Sequence, residues 1–182
     1  LQSLTDRDKI GKKIFSGPMA AESPVRGREK ARMAGMFNPR AVSVDLRGKT
    51  KDEVLKEMAD LLVESNQLTA VKAADAVQAL LDREKDISTG LQEGIAFPHA
   101  RTDLVERMVS SIGVSRNGVE FGSLDGKPAR IFITTLIPVS APEPYLKFMA
   151  TLSGFLVKKE NREKILNCSS NFQLYLIFKN LF

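Results

Sequence analysis

The sequence predicts an α/β fold: a mixed β-sheet flanked by helices on both faces, a three-layer sandwich built as a single domain with an N-terminal extension. Three observations carry this. Segments of helical hydrophobic period stand before, between and after segments of strand character. The run ARIFITTLI, residues 129–137, is apolar almost throughout, as a central strand covered on both faces must be. The chain has 182 residues, 43% of them hydrophobic and 27% charged, which suits one core plus an extension rather than two domains.

Residues 1–41 read as a basic, Pro/Gly-rich arm or linker. Ile10, Ile14 and Phe15 are spaced for a short amphipathic turn, and residues 16–40 then carry three prolines and three glycines with no sustained apolar period. The net charge is +5, and its position matters more than its size. Residues 1–40 hold 9 Lys and Arg against 4 Asp and Glu, whereas residues 41–182 hold 18 against 18. The folded part is therefore balanced and lacks a basic stripe interleaved with aromatics, so no nucleic-acid partner is expected. For the arm two readings stand: a solvated basic tail, or a cytoplasmic segment joining the domain to a membrane protein, where Lys and Arg are enriched.

From Val42 to Phe182 the chain reads as the folded domain. Val42, Val44 and Leu46 alternate with polar residues as a half-buried strand does. TKDE at 50–53 is a capping box, followed by Val54, Leu55, Met58, Leu61 and Leu62 at helical spacing, which predicts a helix over 51–64. A second helix over about 70–84 shows Val77, Leu80 and Leu81 as its apolar face. MVSSIGVS at 108–115 has strand character, Asn117-Gly118 reads as a tight turn, and Asp125-Gly126 as another before the 129–137 strand. After PVSAPEP a helix starts with Pro144 near its first position and carries Leu146, Met149, Leu152, Phe155 and Leu156. Two shorter helices, about 160–167 and 170–181, close the fold. No internal repeat is present.

Composition also excludes functions. No run approaches the ~20 apolar residues of a membrane span. One cysteine, Cys168, and one histidine, His99, cannot assemble a usual zinc site, so neither metal nor cofactor is expected, and the expected setting is reducing and cytoplasmic. A Ser-His-Asp hydrolase is disfavoured: there is no G-x-S-x-G elbow, and Ser88, Asp86 and Asp103 read as turn residues.

The remaining chemistry converges on His99, in a glycine-flanked loop reading TGLQEGIAFPHARTD. A neutral imidazole is a competent nucleophile near neutral pH. If it accepts a phosphoryl group, the product carries about two negative charges and three acceptor oxygens, which donors must hold. The neighbourhood supplies suitable types: Arg83 and Arg101 for the anion, Ser88 and Thr89 as hydroxyl donors, Gly90 and Gly94 for close backbone approach. Arg83 also stands at a helix C-terminus, where a cation offsets the dipole without any catalytic role.

The segment LLDREKDISTGLQEGIAFPHAR resembles the active-site signature of enzyme IIA domains of the fructose/mannitol class in the bacterial phosphotransferase system, a class that includes the nitrogen-regulatory type. The resemblance extends from about Val42 to the C-terminus, through NGVEFGSLDGKPARIFITTLIPV and YLKFMATLSGFL. It implies a phosphotransferase component with a phosphohistidine intermediate and no cofactor. His99 would be the phosphoacceptor, receiving phosphate from the carrier HPr and passing it to an enzyme IIB domain. Arg83 would support the phosphorylated site, with Thr89 in the matching Ser-Thr-Gly turn. One position departs from the pattern: many members carry a second histidine in a His-Leu pair at the start of the helix after the central strand, and here the pair is Tyr145-Leu146. A tyrosine hydroxyl can donate to a phosphoryl oxygen but carries no positive charge. Two functions follow, a phosphocarrier or a regulatory module of a membrane transporter that has weakened or lost phosphotransfer.

Overall fold

The computed structural model describes residues 27, 28, 31, 33, 35–140 and 145–182. The turn expected at Ile10–Phe15, the arm up to residue 26 and Pro144 lie outside the described residues. Five strands form one mixed sheet: β1 (Phe37–Ser43), β2 (Ile95–Ala96), β3 (His99–Thr102), β4 (Val109–Val119) and β5 (Ala129–Pro138). The order is β1-β4-β5-β2, with β3 also paired to β5. β4 and β5 are antiparallel, while β1 runs parallel to β4, and β2 and β3 parallel to β5. Ile95 faces Ile131 and His99 faces Thr135, the same offset, so β2 and β3 are two pieces of one line along the edge of β5. Pro98 interrupts them; it has no N–H to give, but its carbonyl still accepts from Thr135 N at 2.9 Å.

Helices α1 (Lys51–Glu64) and α2 (Ala73–Asp86), joined through a 3₁₀ turn at Ala70–Lys72, cover one face; α3 (Tyr145–Leu156), α4 (Lys159–Leu166) and α5 (Asn171–Lys179) cover the other. The capping box forms in both directions: Glu53 N donates to Thr50 Oγ1, and Thr50 N donates to the Glu53 carboxylate. Along β5, Phe132 and Leu136 join Leu55, Met58, Leu62 and Leu80 in one core, whereas Ile131, Ile133 and Ile137 join Phe148, Leu152, Ile165 and Phe178 in the other. That alternation is the period-2 pleat of a strand buried on both faces, and it makes the three-layer sandwich.

Several elements differ from expectation. The first strand is Phe37–Ser43 rather than Val42–Leu46, so residues 37–41, assigned by sequence to the arm, belong to the sheet, and Met33 and Met36 are buried in the α3-side core. Its pairing shifts register between Phe37 and Val42, around Pro39 and Arg40, which erases the alternation a strand normally shows. Asn117-Gly118 is not a reversal. β4 continues to Val119, with a register shift after Val114 and Gly118 at φ +75°, where an added Cβ would meet Pro128 Cβ at 2.8 Å. The reversal comes later, near Asp125-Gly126, where Gly126 N donates to Ser123 O at 2.9 Å. On α2 the buried face is Ala76, Leu80 and Glu84, with Val77 and Leu81 only half-buried. On α3 it is Phe148, Leu152 and Leu156, with Leu146 80% exposed.

Candidate functional site

His99 is the first residue of β3 rather than a loop residue, and it is half-buried at the sheet edge. Its Nδ1 lies 2.9 Å from the backbone oxygen of Phe97, two residues upstream. A carbonyl only accepts, so in the neutral ring Nδ1 carries the hydrogen and donates it. Nε2 is then left with its lone pair free. Burial pushes the imidazole pKa below its ordinary value; the Phe97 bond opposes this, Arg83 adds to it, Glu84 opposes it and Arg101 adds to it. The ring is therefore neutral at pH 7, the state a nucleophile needs.

This has a consequence for stability. A histidine whose folded pKa lies below the unfolded value favours the fold fully above the unfolded pKa, near 6.5, and that contribution is lost as pH falls through the folded pKa. Proton NMR titration of the single imidazole is expected to give a midpoint below 6.5. The wild type should lose thermal stability from pH 7 towards pH 5 more steeply than a His99→Gln variant, which lacks the titrating ring. A midpoint above 6.5 would contradict this balance of burial and charge around the ring.

Three other expected residues gather around the ring. The Tyr145 ring, at the start of α3, lies 5.1 Å from that of His99, centroid to centroid, tilted by 39°. Burial pushes the Tyr145 phenol up to about 12, against the opposing pull of Arg83 and Arg101, so its hydroxyl keeps its proton and remains a donor. Arg83, in the last turn of α2, donates from Nη1 to Ile87 O at 3.0 Å, which realises the helix-end role the sequence allows. A guanidinium holds further N–H donors beyond that one. Arg101 is exposed on β3, and both arginines act electrostatically on His99 and on Tyr145.

Ser88, Thr89 and Gly94 serve the loop that leads to His99. Ser88 Oγ donates to Phe121 O at 2.7 Å and accepts from Gly90 N at 3.1 Å. Thr89 is buried, and both its N–H and its hydroxyl donate to the Glu84 carboxylate. Gly94 gives its carbonyl to Arg130 N and Ile131 N, tying the loop to β5. Gly90 pairs with Ala96 and packs so closely that a Cβ there would meet Ser123 Oγ at 2.8 Å. Sequence reasoning missed Glu84, the buried carboxylate under this loop. A signal existed: Ala76, Leu80 and Glu84 recur at i, i+4, i+8, the spacing of one helix face.

Fold and site together define an α/β domain of mixed sheet and flanking helices that carries a half-buried imidazole under the electrostatic influence of two arginines. The family model described as "Phosphoenolpyruvate-dependent sugar phosphotransferase system, EIIA 2" matches residues 35–181, and the chain belongs to this family. It is 33% identical over 129 residues to the "PTS system fructose-specific EIIA component" of Haloferax volcanii, covering 71% of this chain and 82% of that protein. The crystal structure of the nitrogen regulatory protein IIA-Ntr from Neisseria meningitidis superposes with a TM-score of 0.73 at 28% identity, covering 80% of this chain and 98% of that one. The enzyme IIA of the Escherichia coli complex of mannitol enzyme IIA with phosphorylated enzyme IIB shares the fold, with a TM-score of 0.65, 22% identity, and coverage of 79% of this chain and 97% of that one. The chain is thus a phosphocarrier or regulatory domain of the enzyme IIA type. Among the described residues no helix is long and apolar enough to cross a membrane.

Proposed function

We propose that this domain accepts a phosphoryl group on His99 Nε2 from the phosphohistidine of HPr, in the cytoplasm, and relays it to an enzyme IIB domain or uses it as a regulatory signal. The observation that carries this is the 2.9 Å contact from His99 Nδ1 to the Phe97 carbonyl, which commits the proton to one nitrogen and the lone pair to the other. Nε2 attacks phosphorus, forming the new N–P bond as the donor's P–N bond breaks. The electron pair returns to the donor ring, which takes up a proton on its other nitrogen and leaves as neutral imidazole. The Nδ1 proton, held by Phe97 during attack, is then lost to water, leaving a neutral phosphoimidazole on His99. Little covalent chemistry is asked of the protein; positioning and charge do the work. Arg83 and Arg101 offset the charge of the phosphoryl group, while the Tyr145 hydroxyl donates to one of its oxygens. Ser88, Thr89 and Gly94 support the site by shaping the loop.

A second reading is that the domain regulates a membrane transporter with weakened phosphotransfer, and Tyr145 favours it: a neutral donor faces His99 where many relatives of the resembled class carry a second histidine. One assay separates the two. With phosphoenolpyruvate, enzyme I and HPr, the wild type is expected to take up an acid-labile phosphoryl group, and Tyr145→Phe to do so about tenfold more slowly, the effect of losing one hydrogen bond of ~1.4 kcal/mol in the transition state. Absence of label on a folded wild type would remove the phosphocarrier reading and leave the second.

A further inference from the structure

Beneath the loop that carries Ser88 and Thr89 lies a charge no phosphate-handling role accounts for. The Glu84 side chain is 3% exposed, on the inner face of α2. Burying a carboxylate is costly unless it is paired and hydrogen-bonded, and Glu84 is both. Lys51 Nζ, from the first turn of α1, lies 3.1 Å from Oε2 and also sits 4.5 Å from the centre of the Phe121 ring. Thr89 N donates to the carboxylate at 3.1 Å, and the Thr89 hydroxyl donates to Oε1.

The chain of contacts does not stop there. The Thr89 carbonyl accepts from Phe97 N at 3.1 Å, and the Phe97 carbonyl accepts from His99 Nδ1 at 2.9 Å. An unbroken path therefore runs from a buried anion to the nitrogen that fixes the imidazole tautomer. Every link is short and made within the protein, and the residue before His99 is a proline with no N–H of its own to hold the turn.

We propose that Glu84 is the positioning residue of the site: through Thr89 and the Phe97 peptide it sets the orientation and tautomer of His99, with Lys51 as its counter-ion 3.1 Å away. This rests on the phosphocarrier reading for its purpose, but not for its physics. Glu84 does not touch the phosphoryl group; it acts by holding Thr89 so that the Phe97 carbonyl stays where Nδ1–H finds it. If the hold loosens, the neutral ring spends more time with its proton on Nε2, and that nitrogen cannot attack. Among the described residues, the charged and titratable groups that act on the ring are Arg83 and Glu84 from α2, Arg101 from β3 and Tyr145 from α3, with Lys51 of α1 behind Glu84. Glu84 is the one anion among them.

The test uses the fact that His99 is the only histidine, so the imidazole ¹⁵N spectrum of the whole chain contains one spin system. In wild type the Nδ1–H tautomer is expected to dominate. In Glu84→Gln, which keeps shape and one acceptor oxygen but removes the charge, the tautomers should mix, the titration midpoint should move down as the two guanidiniums go unopposed, and phosphoryl transfer should slow about tenfold or more, the scale on which lost orienting partners of histidine are felt elsewhere. Thr89→Val, which deletes only the hydroxyl, should shift the spectrum the same way by less. A folded Glu84→Gln protein with the wild-type tautomer and midpoint overturns the proposal. If Glu84→Gln fails to fold, an unchanged imidazole spectrum in Thr89→Val overturns it equally. Should wild type take no phosphate from HPr, the phosphocarrier reading falls, while the ¹⁵N spectra still decide whether Glu84 positions the ring.

Discussion

His99→Gln is expected to abolish phosphoryl uptake altogether while leaving the fold nearly as stable as wild type at pH 7. No other imidazole exists to take over, and an amide nitrogen, its lone pair delocalised into the carbonyl, does not attack phosphorus. The structural cost is small because the ring is only half-buried, at a sheet edge whose ladder bonds are made by the backbone. What is lost inside the protein is one hydrogen bond to a carbonyl, worth about 1 kcal/mol net, together with the ring contact to Tyr145. Transfer of label from phosphoenolpyruvate through enzyme I and HPr reads the first effect, and thermal melting at pH 7 reads the second. Label persisting on the variant would move the acceptor elsewhere in the chain. A collapse of the melting transition would instead make His99 a structural residue.

The parts of this architecture that the sequence made legible are those governed by local chemistry. The TKDE box and the stripe behind it define α1 to the residue, because cap and hydrophobic period agree there. β5 declared itself by an apolar run that only a strand buried on both faces carries. That Arg83 and Arg101 come near enough to His99 to act on it electrostatically was legible from residue type, while their part in holding a phosphoryl group belongs to the proposal.

The misreadings share a cause: each depends on a partner distant in sequence. β2 and β3 are too short and too interrupted by Pro98 to show a period, and they exist only because β5 offers them an edge. Gly118 looked like a hairpin corner because Asn-Gly usually is one, yet pairing of Val119 with Ala129 carries β4 past it and makes it a bulge. Glu84 was invisible as a site residue because a carboxylate near a helix end reads as solvated surface; only the arrival of Lys51 and Thr89 makes its burial tolerable. The hydroxyls of Ser88 and Thr89, expected to face phosphate, are drawn to Phe121 and Glu84 by the same tertiary logic.

The phase of α3 offers the second large effect, and it bears on the site directly. Sequence periodicity placed Leu146 on the buried stripe, whereas the structure buries Phe148, Leu152 and Leu156 and leaves Leu146 80% exposed. Phe148 is fully buried, with its ring centroid 5.6 Å from that of Phe37 and stacked on Phe182 at 5.5 Å. Phe148→Ala should therefore cost about 3–5 kcal/mol, the lost transfer energy plus a cavity that three surrounding elements cannot fully close. For a chain of this size that lowers the melting temperature by about 6–20 °C. Leu146→Ala should change stability by less than about 0.5 kcal/mol. The two variants, melted side by side, fix the rotation of the helix: a large loss for Leu146→Ala and a small one for Phe148→Ala would turn α3 by about two residues, some 200° around its axis. Such a turn would carry Tyr145 away from His99, because Tyr145 and Phe148 share one face at i, i+3 and meet the sheet together. On the proposed phosphocarrier reading, the packing of Phe148 then decides whether the Tyr145 hydroxyl reaches a phosphoryl group on His99, and Phe148→Ala is expected to slow phosphoryl transfer as Tyr145→Phe does, by freeing the helix turn that holds Tyr145 against the imidazole.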